Sequence, residues 1–184
     1  MSDLSWHLAV KSLLDAESPE EWGRIVTAQR GELLTSSSLR SFERALHDAQ
    51  REGNPIAVPM QVVYAFLRMA NEKGISASVA QEKQRREAII HAGATLLSAA
   101  VWDATAVLRQ FQSTLLDPDA IRMIGRLAAV AAREHPSDPL ADVRQKISTL
   151  KLALLDDARV NGIDAAERRY NTAMTALIQE AQEG

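Results

Sequence analysis

The chain has 184 residues, 46% of them hydrophobic and 4% aromatic, with 21 basic and 24 acidic side chains and a net charge of −3. That is enough apolar material for one sizeable core or two small units, which excludes a disordered chain. The acidic balance argues against non-specific nucleic-acid binding, which needs a positive field.

Leu4, Leu8, Leu13 and Leu14 predict a first helix up to Ala16. Ser18-Pro19-Glu20-Glu21 then reads as a capping box, with Ser18 as cap, Pro19 first inside and Glu21 third. That helix carries Trp22, Ile25 and Val26 and is expected to end near Gly31. Next comes TSSSLRSFERALHDAQREGNP, Thr35 to Pro55. Leu39, Phe42, Leu46 and Ala49 recur at steps of three and four and make one apolar stripe. Arg40, Arg44 and Arg51 fall on another face, and Gly53 with Pro55 behind it predicts the stop.

A fourth helix is expected from about Val58 to Lys73 and a fifth from about Ala77 to Leu97, with Gly74 between them. Gly93 inside the fifth marks either a break or a close helix crossing. Trp102, Val107, Leu108 and Phe111 give a sixth helix. Asp117-Pro118 restarts a seventh, with Ile121, Ile124, Leu127 and Ala128 on its apolar side. Asp138-Pro139 restarts an eighth, with Leu140, Val143, Ile147, Leu150 and Leu154 as its stripe and Gly162 as its stop. A last helix carries Tyr170, Met174 and Leu177. No segment alternates with a period of two, so the expected fold class is all-α, about nine helices arranged as stacked antiparallel hairpins.

Residues 33–54 and 115–136 match at a fixed offset. Leu33, Leu34, Arg40, Arg44, Ala49, Arg51 and Glu52 meet Leu115, Leu116, Arg122, Arg126, Ala131, Arg133 and Glu134. Around the match, each half places a tryptophan-bearing short helix, a double leucine, a capped arginine-striped helix, two prolines and a longer helix in the same order. The domain reading is a single helical domain, 1–184, with related halves 4–90 and 91–182. Hairpins of this size bury their apolar faces by stacking on neighbours.

The segment from Leu13 to Gly53 resembles the divergent tetratricopeptide-like repeats of bacterial multidomain proteins. Leu13-Leu14, Ser18 through Trp22, Gly31 to Leu34 and Arg51-Glu52 carry the likeness. The standard tetratricopeptide signature is absent, and Arg30-Gly31 stands where such repeats often have histidine-proline. In that family such arrays accompany caspase-like or signalling domains, so the resemblance implies a scaffold or recognition module and transfers no catalytic residue.

Direct chemical signals are few. His7, His47, His91 and His135 have no metal-ligand spacing, and no HExxH or CxxC occurs. Ser36, Ser37 and Ser38 read as cap chemistry because no general base stands beside them. No cofactor is expected. Arg40, Arg44 and Arg51, repeated as Arg122, Arg126 and Arg133, read either as a basic ladder for an acidic peptide or as a solvated face. Trp6 is the candidate aromatic contact, or a seal over the first hairpin, while Trp22 and Trp102 are expected in the core.

The leading functional expectation is a non-enzymatic, protein-binding scaffold that uses these residues. The alternative is a small helical ligand-binding protein or enzyme, in which His91, an acid such as Asp103 or Glu87, and a tyrosine converge in a pocket. No run approaches 18 apolar residues, and MSDLSWHLAV carries an acid where a signal peptide has basic charge. A cytoplasmic location with no membrane partner is expected, and self-association stays open.

Overall fold

The computed structural model describes residues 3–134 and 141–183. Among them every regular element is helical, and the chain divides into two units, one up to Arg86 and one from Glu87 onward.

The first unit opens with α1 (Asp3–Asp15), α2 (Pro19–Ala28), α3 (Arg30–Leu33), α4 (Ser36–Arg51) and α5 (Ala57–Lys73). Helix α6 (Ile75–Ser98) crosses the boundary, its residues up to Arg86 belonging to the first unit. Ser18 caps α2 by accepting from the Glu21 N–H at 3.1 Å, but Glu21 reaches the Glu17 N–H at 3.2 Å, one residue before the cap. Thr35, not a serine of the SSS run, caps α4: its Oγ1 accepts from Ser38 N, and its hydroxyl pairs with those of Ser37 and Ser38. The helix ends at Gly53, whose φ of +64° favours glycine, with Asn54 N donating back to Ala49 O at 2.9 Å.

Helix α1 packs on α2, α3 and α5, and α4 packs on α5. Their inward faces form one core around Leu13, Trp22, Val26, Leu33, Phe42 and Leu67. The helical period decides this, since residues three and four apart share a face. The Trp22 ring meets Phe66 edge-on at 5.2 Å and lies under the Arg86 guanidinium at 4.7 Å. Glu82 is buried and held by Arg85 and Arg86, and Arg86 also donates to Glu17 O. These contacts fasten the first half of α6 over α2.

The second unit contains the rest of α6, a 3-10 turn (Val101–Asp103), then α7 (Ala104–Gln110), α8 (Gln112–Leu115), α9 (Ala120–Glu134), α10 (Ala141–Asn161) and α11 (Ile163–Glu183). Helices α9 and α11 both pack on α10. The core gathers Ala92, Leu96, Leu108, Leu115, Ile124 and Leu155. Gly93 is a close crossing rather than a break: a Cβ there would meet Ile124 Cγ1 at 2.5 Å. Asp117 accepts from Asp119 N at 2.9 Å, so α9 starts at Ala120, two residues after the expected Pro118. Asp138, Pro139 and Leu140, expected to open the eighth helix, lie outside the described residues, as do Pro136 and His135.

Several local features recur at the offset of the sequence match. The residues before α3 and α8, Gln29 and Phe111, share an unusual backbone: φ −119°, ψ 29° and φ −109°, ψ 27°. They divide each expected helix into two pieces, which is why eleven α-helices are described where about nine were expected. At the same offset Leu33 and Leu115, Phe42 and Ile124, and Val26 and Leu108 are all buried. Beyond the α9–α10 connection the register changes to that of Gly74 and Gly162, with φ +93° and +83°. There Leu67 pairs with Leu155, Ala70 with Ala158 and Ser78 with Ala166, again all buried.

This register corrects one expectation. Trp22 is 4% exposed, but its counterpart is Ala104, and Trp102 stands 54% exposed on the 3-10 turn. The buried seat is taken two residues later in the chain, so Trp102 falls on the solvent side.

Candidate functional site

The arginines of α4 are exposed, but their surroundings differ. Arg44 Nε donates to Arg40 O at 3.4 Å and its Nη2 to Ser41 Oγ at 3.5 Å. Arg51 pairs with Asp48 at 3.2 Å. Among the described residues neither Arg40 nor Arg44 has a carboxylate partner. On α9, Arg122 holds the buried Asp119 at 2.6 Å, whereas Arg126 is exposed with no ion pair among the described residues. The side chain of Arg133 lies outside the described residues. The helical spacing therefore brings Arg40 and Arg44 together on one helix, and the α9 set belongs to the other unit.

Trp6 is half-buried against the first core, edge-on to Phe42 at 6.2 Å and to His7 at 5.0 Å. His91, Glu87 and Asp103 are all exposed, and His91 meets Phe111 edge-on at 5.9 Å. Tyr64 stacks on Phe42, and Tyr170 donates to Val101 O at 3.0 Å. Among the described residues no group of three or more histidines and acids could hold a metal.

A cavity of about 820 Å³ lies elsewhere, within the second unit between the end of α6, α9 and α10. Leu127, Ala128, Ile147 and Leu152 give it apolar walls, and Arg144, Gln145 and Ser148 line it from α10. Lys151 also lines it and is only 1% exposed. Its Nζ donates to Leu97 O at 2.9 Å and Ala99 O at 2.6 Å, the end of α6. Helix C-terminal carbonyls lack intrahelical donors and carry partial negative charge, so an ammonium is placed well there. Burial works the other way and lowers the Lys151 pKa from the ordinary lysine value.

Lys151 escaped the reading of motifs because it looks like one polar residue in the apolar run Leu150 to Leu155. The signal was present in the repeat. In the register of Gly74 and Gly162, Lys151 stands against Val63, which is also 1% exposed. The other cavity residues follow suit: Ala128 stands against the buried Leu46, and Ser148 against the buried Met60. At these three positions a smaller or polar side chain lines the second unit's cavity where a larger apolar one is buried in the first unit.

No protein-family model, curated protein or solved structure matches the chain. The firm class is accordingly an all-α protein of packed helix pairs. Among the described residues no helix is long and apolar enough to cross a membrane.

Proposed function

We propose that the protein is a non-enzymatic helical-repeat module, tetratricopeptide-like in its stacking, that holds an acidic segment of another protein against its arginine faces. The observation that carries this reading is the exposed pair Arg40 and Arg44, one turn apart on α4 and without a carboxylate partner among the described residues. A guanidinium pair at that spacing matches carboxylates along an extended or helical acidic segment, and charge-assisted hydrogen bonds are the strong kind. Arg126 is a separate exposed guanidinium on α9 of the other unit. Arg51 and Arg122 are occupied by Asp48 and Asp119 and contribute less. A scaffold of a bacterial multidomain protein, working in the cytoplasm, fits this role. The test is fluorescence anisotropy of a labelled glutamate-rich peptide against the protein and its Arg40→Ala, Arg44→Ala variant. Affinity should fall at least tenfold in the variant and weaken with added salt. Equal affinity in a folded variant sinks the reading.

A second reading, a small-ligand-binding helical protein, is favoured by one specific observation. The cavity of about 820 Å³ falls within the roughly 300–1,000 Å³ range of small-molecule sites. Loss of ligand binding on refilling it with Ala128→Leu and Ser148→Met, the first unit's residues, is the outcome that supports it.

A further inference from the structure

We propose that the second unit's cavity takes an amphipathic organic carboxylate, its apolar body against Leu127, Ile147 and Leu152 and its carboxylate on Lys151 Nζ. The proposal rests on the small-ligand reading and names the ligand's chemistry.

Three observations lead to it. First, Lys151 is a buried cation with no carboxylate partner among the described residues. A buried charge is strongly disfavoured unless paired, and two backbone carbonyls neutralise no charge. Second, an ammonium has three N–H donors, and the carbonyls of Leu97 and of Ala99, just past α6, take two of them. The third has no acceptor among the described residues, and at 1% exposure the ammonium meets a ligand oxygen only when the side chain shifts toward the cavity it lines. Third, the fold does not require a lysine here. Val63 holds the corresponding place in the first unit, where Leu46 and Met60 complete the packing. Lysine, alanine and serine at the corresponding positions of one unit replace a filled core with a lined cavity and a cation.

The ligand's character follows from this lining. Leucine, isoleucine and alanine walls accept an aliphatic body. A single buried ammonium matches a single carboxylate. Arg144 also lines the cavity, about two α10 turns before Lys151.

The experiment is calorimetric titration of the full chain with decanoate and with 1-decanol, which share a chain and differ in charge. Decanoate should bind one per chain and at least tenfold more tightly than decanol. Lys151→Val, the residue the first unit holds, should keep decanol binding and lose the preference for decanoate. Lys151→Met, which keeps the side-chain length, should do the same and guards against a folding defect in the first variant. Equal affinities in the unaltered protein, or a preference that survives both variants, overturn the role of Lys151 while leaving the cavity as a ligand site. Binding of neither compound overturns the small-ligand reading and this proposal together.

Discussion

Lys151 occupies in the second unit the buried position that Val63 occupies in the first, and each is 1% exposed. One of the two brings a charge into a core. Burial lowers its pKa below the ordinary lysine value, so the folded chain releases this proton before the unfolded chain does. Between the lowered folded pKa and 10.5 the unfolded state therefore binds more protons, and stability rises with pH across that window. Urea midpoints followed upward to pH 10.5 should show this rise in the unaltered protein and a smaller one in Lys151→Val. Parallel curves would show that the amine titrates alike in both states.

Tyr170 has the opposite sign. Burial raises its pKa to about 12, so the folded chain keeps a phenolic proton that the unfolded chain loses near 10. Stability should fall as pH rises from about 10 to 12, and Tyr170→Phe should remove that decline. The same variant gives up the hydrogen bond to Val101 O, at a cost of about 1 kcal/mol at neutral pH. Chemical denaturation at pH 7 and pH 11 reads both effects.

Two glycines test the helix crossing. In Gly93→Ala the new methyl meets Ile124 Cγ1 at 2.5 Å. Overpacking of that kind costs about 1–3 kcal/mol. Gly125→Ala on α9 meets nothing within 4 Å and should stabilise by up to about 1 kcal/mol through helix propensity. Thermal melts of the two variants should move in opposite directions.

Thr35 and Ser36 separate cap from bystander. Thr35→Ala removes the acceptor for Ser38 N and the hydroxyl partner of the buried Ser38, and should cost about 1–2 kcal/mol. Ser36→Ala, an exposed side chain, should stay within about 0.5 kcal/mol of the parent. Denaturant unfolding of the pair decides whether threonine or serine starts α4.

Much of this was readable in the residue order. The period of three and four gave the helices, because only a helix puts Leu39, Phe42 and Leu46 on one side. Gly53, Gly74 and Gly162 mark stops because a positive φ favours glycine. Less was readable at Gln29 and Phe111, where the chain breaks without glycine or proline and packing holds an unusual backbone. Trp102 was misplaced because two tryptophans in similar company looked equivalent, when burial follows the register that pairs Trp22 with Ala104. Arginine spacing was legible, but which arginines already hold a carboxylate was not, since Arg122 and Asp119 meet only once the start of α9 is built.

By itself the sequence determined an all-helical chain, the faces its helices bury and the places where they stop, because each depends on residues within a few turns of one another. Tertiary structure decided that the Lys151 ammonium is buried on the carbonyls of Leu97 and Ala99, more than fifty positions away. It also decided that a cavity opens beside that ammonium. Burial and hydrogen-bond partners are properties of neighbours in space, and helix period alone does not specify which neighbours those will be.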